Sequence, residues 1–162
     1  MRLYGLDRII LVLALLLATL LGLLWLTGPK NPPLTALSPD EVNEIRVLKE
    51  GKLELGLLRD REGWMLTHPD IERAAAQRVA SLLDLLQTPS QASWPASPDT
   101  LGHGGLAQPR RTLQFDTLEI DFGSSSTPPG QRYVRVGDHV HLIDEVWFHI
   151  SGLPASYYRR TD

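Results

Sequence analysis

The 162-residue chain has no cysteine, which excludes disulfide bridges, thiolate nucleophiles and cysteine-ligated metals. It also lacks a G-x-G-x-x-G motif, a P-loop and an H-E-x-x-H motif, so the usual signatures of dinucleotide, nucleotide and metalloprotease-zinc sites are missing. From Asn31 onward, 13 Lys and Arg stand against 18 Asp and Glu, a net charge of −5 that does not suit a nucleic-acid partner. The sequence therefore predicts no catalytic residue, no cofactor and no enzyme.

Charge is absent from one long segment near the amino terminus. Between Arg8 and Lys30 lie 21 consecutive uncharged residues, nearly all Leu, Ile, Val or Ala. As a helix they would extend about 31 Å, which matches a hydrocarbon core of about 30 Å. A transmembrane helix over residues 9–27 is predicted. A signal peptide is the alternative, although its apolar core is usually only about 7–15 residues long.

The flanking charges predict the orientation of this span. Arg2 and Arg8 precede it and only Lys30 follows it closely, so the positive-inside rule keeps residues 1–8 in the cytoplasm. We therefore expect a single-pass protein of the bacterial inner membrane. Residues 28–37 form a Pro-containing linker in this prediction, and residues 38–162 form a periplasmic domain.

Small residues recur at four-residue spacing inside the predicted span, at Ala14, Ala18 and Gly22. Such a face lets a second helix approach closely in the bilayer. A span rich in Leu and Ala also produces this spacing by chance. The pattern predicts a helix-packing face for a membrane-embedded partner, with chance as the alternative.

The rest of the chain alternates apolar and polar residues as half-buried strands do. Three strands are predicted around residues 45–47, 53–57 and 64–66, and a helix of four to five turns from the Asp70 cap to Leu86 follows them. Two hairpins are predicted over 112–122 and 133–142, and a short helix begins after the Asp144 cap. The expected fold is α+β, with two similar halves that are each an antiparallel meander covered by a helix.

A long segment, residues 88–111, is rich in Pro, Ser and Gly and is predicted to be a loop anchored by Trp94, Leu101 and Leu106. His103 lies between glycines in this segment. A catalytic or ligand-binding role is one interpretation of His103, and an exposed loop histidine is the favoured one.

Two further sets of residues are candidate sites. His139 and His141 lie on one strand face, as two metal ligands would, but a solvated face beside core-facing Val140 and Leu142 explains them as well, and no metal site is predicted. The candidate contacts to a partner, a ligand or lipid headgroups are Trp94, Tyr157, Tyr158, Arg159 and Arg160.

Short motifs in a fixed order resemble the bacterial domain-of-unknown-function family 4340 over most of residues 38–160. They are Ile45-x-Val47, Leu53-x-Leu55, Glu62-Gly63-Trp64-x-Leu66, His68-Pro69, Leu82-Leu83-x-Leu85-Leu86, Gly105-Leu106-x-x-Pro109, Phe122-Gly123 and Arg132-Tyr133-Val134. The resemblance implies a membrane-anchored protein, and some members are similar to auxiliary subunits of gliding-type ABC transporters. It implies no catalytic residues.

Two functions are compatible with these patterns. The first is a non-catalytic accessory or scaffold protein of an envelope or transport complex, with membrane-embedded partners for which an ABC-type transporter is one candidate. The second is a periplasmic binding module for a lipid, glycan or peptide, with Trp94 or Trp64 as a platform in a concavity between two half-sheets.

Overall fold

The computed structural model describes residue 10, residues 12–19 and residues 31–161. Residues 10 and 12–19 are helical with exposed side chains, and they include Ala14 and Ala18. Gly22 and most of the predicted span 9–27 lie outside the described residues. Within the described part of the chain, no helix has both the length and the apolar character needed to span a membrane.

The domain is α+β and is built on one antiparallel sheet of nine strands in the order β4-β3-β2-β1-β6-β7-β8-β9-β5. The strands are β1 (Glu44–Lys49), β2 (Lys52–Asp60), β3 (Gly63–His68), β4 (Glu72–Arg73), β5 (Ala92–Pro95), β6 (Arg111–Phe115), β7 (Leu118–Ser125), β8 (Gln131–Val136) and β9 (His139–Asp144). The predicted strands and hairpins are confirmed. The two groups of strands are not separate half-sheets, because β1 pairs with β6 and makes the sheet continuous.

One face of this sheet, which we call the first face, carries the main hydrophobic core. Partners in neighbouring strands share a face, so apolar residues form rows across the strands. One row contains Leu66, Leu57, Ile45 and Phe115. These side chains are all at most 1 % exposed. The core therefore runs through the junction of the two strand groups.

A β-bulge makes the second strand differ from its predicted alternation. Val47 pairs with Leu55, but Leu48 pairs with Leu53, so Glu54 has no partner of its own. The extra residue reverses the alternation of β2. Leu53 consequently leaves the core side and is 40 % exposed.

The predicted long helix is shorter than its apolar pattern indicates. Helix α1 (Ala76–Leu83) is followed by a 3-10 turn (Asp84–Gln87), and its N-cap is Ala75 rather than Asp70. Glu72 and Arg73 instead form β4 on the edge of β3. Ile71, which the helical pattern assigns to the apolar face, is 76 % exposed. Pairing at the sheet edge has overridden helical propensity at the start of this segment.

The compact unit begins at Pro32, earlier than residue 38, where the sequence places the domain boundary. The backbone amide of Leu34 donates to the carbonyl of Thr88 at 2.8 Å, and that of Thr35 donates to Leu86 at 3.1 Å. Leu34 is only 4 % exposed and belongs to the core. The last part of the predicted linker is thus an integral part of the domain.

The predicted loop 88–111 contains regular structure and crosses the opposite face of the sheet, the second face. It forms β5, which pairs with β9, and helix α2 (Pro98–His103). Leu106, one of its predicted anchors, is 2 % exposed, while Trp94 is 39 % exposed. The second face is therefore covered at this end of the sheet.

The chain ends with two short helices beside the first face, α3 (Val146–Ile150) and α4 (Ala155–Tyr158). The N-cap of α3 is Glu145 rather than the predicted Asp144, although the Asp144 carboxylate accepts from the backbone amide of Val146 at 2.9 Å. Phe148 of α3 packs against the core, and the guanidinium of Arg132 lies 3.7 Å from the centre of its ring. Tyr158 of α4 is fully buried.

Candidate functional site

A cavity of about 450 Å³ opens on the second face of the sheet. Its lining consists of Trp94, Asp99, Thr100, His103, Tyr133 and Val140. We call it the Trp94 cavity. Its volume falls within the range of about 300–1,000 Å³ that is usual for small-molecule pockets.

Strand pairing places the apolar part of this lining. Trp94 on the edge strand β5 lies opposite Val140 on β9, and Tyr133 on β8 lies opposite Leu142. The rings of Trp94 and Tyr133 are 6.3 Å apart and inclined at 48°. Val140 is 1 % exposed and forms the floor. The two aromatic rings therefore form a partly open wall over an aliphatic base.

Helix α2 supplies the polar part of the lining, and its position is fixed by local hydrogen bonds. The backbone amide of Ser97 donates to Oγ1 of Thr100 at 2.7 Å, and the amide of Thr100 donates to Oγ of Ser97 at 3.2 Å. This reciprocal cap starts the helix at Pro98, a residue suited to a first helical position. Asp99 and His103, both exposed, line the cavity from this helix. The ring of His103 packs edge-on against Tyr133, with 6.0 Å between centroids.

Two glycines let the end of α2 lie close to the sheet. The amide of Ser124 on β7 donates to the carbonyl of Gly104 at 2.7 Å. A Cβ on Gly123 would collide with that same carbonyl, and Gly105 has a φ of +64°, which favours glycine. This close approach buries Leu106 and holds the cavity wall against the strands.

The charge in the cavity is a single carboxylate without a partner. Across the described residues, no hydrogen bond or ion pair reaches the side chain of Asp99. The hydroxyl of Thr100 is already engaged with the Pro95 carbonyl at 3.0 Å and with Ser97. Arg135 lies on the same face, but its guanidinium is held by Asp121 at 2.6 Å. The cavity thus combines aromatic faces with an uncompensated negative charge.

The histidine pair is on the face opposite to the predicted one. Val136 pairs with His139, and Val134 pairs with His141, so both imidazoles belong to the first face with the core, while Val140 faces the second. Nδ1 of His141 is hydrogen-bonded to the Ser90 hydroxyl at 3.0 Å. Burial, and then the nearby His139, lower the pKa of His141. Within residues 31–161 and the described part of the N-terminal helix, no group of three or more side chains could hold a metal.

A wider groove of about 700 Å³ lies beside these histidines, between chain segment 32–37 and the β6–β7 turn. Its lining is mostly apolar or small residues, and Phe115 within it is fully buried. His141 is committed to Ser90. We therefore regard the Trp94 cavity as the better-formed binding site.

The carboxyl-terminal residues predicted as contacts are not all at the surface. Tyr158 has no exposed surface, and burial raises its pKa, so it cannot present a contact and that prediction is wrong. Arg159 pairs with Asp70 at 2.9 Å and with Glu72 at 3.0 Å. Tyr157 remains 37 % exposed beside the guanidinium of Arg78. The backbone amide of Arg160 donates to Arg73.

Sequence patterns identified only part of the Trp94 cavity. Trp94 was a candidate contact, whereas Trp64 is 7 % exposed and lies in the core, so it offers no platform. Asp99 and Tyr133 were missed. The sequence Ser97-Pro98-Asp99-Thr100 is a helix-start signal that could have located Asp99. Tyr133, an aromatic residue on the side of β8 away from the core, could have indicated that the second face is covered.

Comparison of the chain with protein-family models finds no match, and comparisons with curated proteins and with solved structures find none either. The resemblance to domain-of-unknown-function family 4340 stays a prediction.

Proposed function

We propose that this chain is a non-catalytic accessory protein of a bacterial envelope or transport complex. In this proposal residues 9–27 cross the inner membrane once, residues 1–8 are cytoplasmic and the sheet domain is periplasmic. The partner is embedded in the membrane, and an ABC-type transporter is the kind of complex that the family resemblance suggests. The observation that carries the proposal is the run of 21 uncharged residues directly ahead of a domain that begins at Pro32.

The small-residue face supports the membrane part of this proposal. Ala14 and Ala18 lie one turn apart within the helical residues 12–19, so they share one side of the helix. Bulk on that side would block the close approach of a second helix. The proposed contact therefore depends on Ala18 and on Gly22, four residues further along the sequence.

Copurification in a mild detergent tests the accessory role. Ala18→Leu and Gly22→Leu are expected to reduce recovery of a membrane partner while the domain stays folded. Leu16→Phe adds bulk two residues away, on the other side of the helix, and should leave recovery unchanged. Undiminished recovery with both Leu variants would contradict the proposed packing face.

We also propose that the domain arose by duplication of a strand meander followed by a helix. The strand order supports this, because β1–β4 run outward from the centre of the sheet in one direction and β6–β9 run outward in the other. Helix α1 follows the first set and α3 the second.

A second candidate function is a periplasmic binding module, and the Trp94 cavity favours it. The cavity is partly open, aromatic and of ligand size, and residues from three strands and a helix converge on it. A bound small molecule recovered with the purified protein, and lost from a Trp94→Ala variant, would support this function. Recovery that does not depend on Trp94 would contradict it.

A further inference from the structure

The chemistry of the Trp94 cavity indicates the class of ligand that it would take. This inference rests on the second candidate function, that of a binding module. Three properties matter: the ring faces of Trp94 and Tyr133, the unpartnered carboxylate of Asp99, and the absence of a free cation in the cavity lining. Each of them favours a ligand with a positive charge.

The aromatic wall favours a positive charge. The face of an indole or phenol ring carries the negative part of the ring quadrupole and attracts a cation within about 6 Å of its centre. Trp94 and Tyr133 are inclined at 48° to one another, so their rings are not stacked flat together. Trp94 is 39 % exposed, which leaves ring surface accessible to a ligand.

The carboxylate of Asp99 acts in the same direction. Asp99 is exposed, so its attraction for a cation is screened by water, but it has no positive partner of its own to offset it. Arg135, which lies opposite Val140 on this face, is neutralised by Asp121 and does not compete. The net charge of −5 from Asn31 onward adds a general attraction for positive ligands.

A neutral sugar is the main alternative ligand for a lining of this kind. Sugars need several free donors and acceptors beside the aromatic face. The Thr100 hydroxyl is committed to Pro95 and Ser97. The other polar groups of the lining are the Asp99 carboxylate, the His103 ring, the Tyr133 hydroxyl and the Trp94 indole N–H. The feature that favours an ammonium ligand over a neutral sugar is therefore the negative charge of Asp99.

We propose that the Trp94 cavity binds an organic ammonium group, with the faces of Trp94 and Tyr133 and the carboxylate of Asp99 as its recognition elements. The same chemistry occurs in free quaternary ammonium solutes and in the headgroups of zwitterionic lipids. Volume does not discriminate between them, since about 450 Å³ accommodates either group.

Titration of the full chain in a neutral detergent tests this proposal. The probes are choline and 3,3-dimethylbutan-1-ol, which has nearly the same shape without the charge, and the readout is tryptophan fluorescence. Choline should bind saturably. The affinity of its neutral analogue should be lower by at least about tenfold. Equal affinity of the two probes, or no saturable signal from folded protein, would overturn the proposal.

Variants assign the binding to the cavity. Trp94→Ala should weaken choline binding about tenfold, and Trp94→Phe should weaken it less, because Trp is the best of the aromatic partners. Asp99→Asn should weaken it severalfold, whereas Asp84→Asn, an exposed acid just after α1, should not change it. Choline affinity that is unaffected by both Trp94→Phe and Asp99→Asn would overturn the assignment even if Trp94→Ala fails to fold.

A third probe distinguishes the two sources of the ammonium group. Glycerophosphocholine that binds at least as well as choline identifies a lipid headgroup, and weaker binding identifies a free solute; both results support the ammonium site. The ammonium site and the binding-module function can fail separately. If choline does not bind but a neutral glycan or peptide binds in a way that depends on Trp94, the ammonium site is wrong and the binding-module function is supported. The accessory role is tested independently by copurification.

Discussion

At the scale of single residues, burial decides which members of an apolar stripe contribute to stability. Leu83 and Ile71 both belong to the helical pattern in the sequence, but Leu83 is 7 % exposed and Ile71 is 76 % exposed. Leu83→Ala should therefore lower the free energy of unfolding by about 2–5 kcal/mol. Ile71→Ala should change it by less than about 0.5 kcal/mol. Urea denaturation of both variants checks this, and similar losses would mean that α1 does not pack as described.

His141 is a second residue whose surroundings lead to a prediction. Burial first, and then the neighbouring His139, lower the pKa of His141 in the folded protein. The unfolded chain therefore takes up the proton first as the pH falls below about 6.5, and the free energy of unfolding decreases there. Denaturation at pH 8 and at pH 5.5 should show a smaller difference for His141→Gln than for the parent chain. An unchanged difference would show that His141 does not contribute.

At the scale of elements, the packing of the α2 segment on the sheet depends on glycine. Gly123→Ala would drive a methyl group into the Gly104 carbonyl and should lower the free energy of unfolding by about 1–3 kcal/mol. The near-ultraviolet circular-dichroism signal of the Trp94–Tyr133 pair should be lost. Gly102→Ala is the matched control, since a Cβ there meets nothing within 4 Å. It should be neutral or slightly stabilising in a helix. Equal behaviour of the two variants would contradict the close contact.

Elements also show where local patterns fail. The stripe from Ile71 to Leu86 has helical spacing throughout, yet Glu72 and Arg73 pair with β3 and the helix begins at Ala76. Residues 88–111 have loop composition, yet they add an edge strand and a capped helix to the second face. In both cases an exposed strand edge supplied backbone partners that propensity alone does not anticipate.

At the scale of the whole molecule, the sign of the flanking charges predicts topology. A reporter that is active only outside the cytoplasm, fused after Asp162, should be active because Arg2 and Arg8 hold the amino terminus inside. A fusion truncated before Ile9 is the control and should be inactive. Activity of a cytoplasmic reporter at the same fusion point would contradict the proposed periplasmic location of the domain.

The sequence by itself determined the α+β class, the main strands and their turns, because alternation with period two and turn residues are local signals. It did not determine which face of each strand is covered. That choice depends on register between strands distant in sequence, and it placed His139 and His141 on the core face and Val140 beneath Trp94. Only the tertiary structure assembled the Trp94 cavity, because β5, α2, β8 and β9 meet there through sheet pairing and the close contact at Gly123, and no local pattern encodes that meeting.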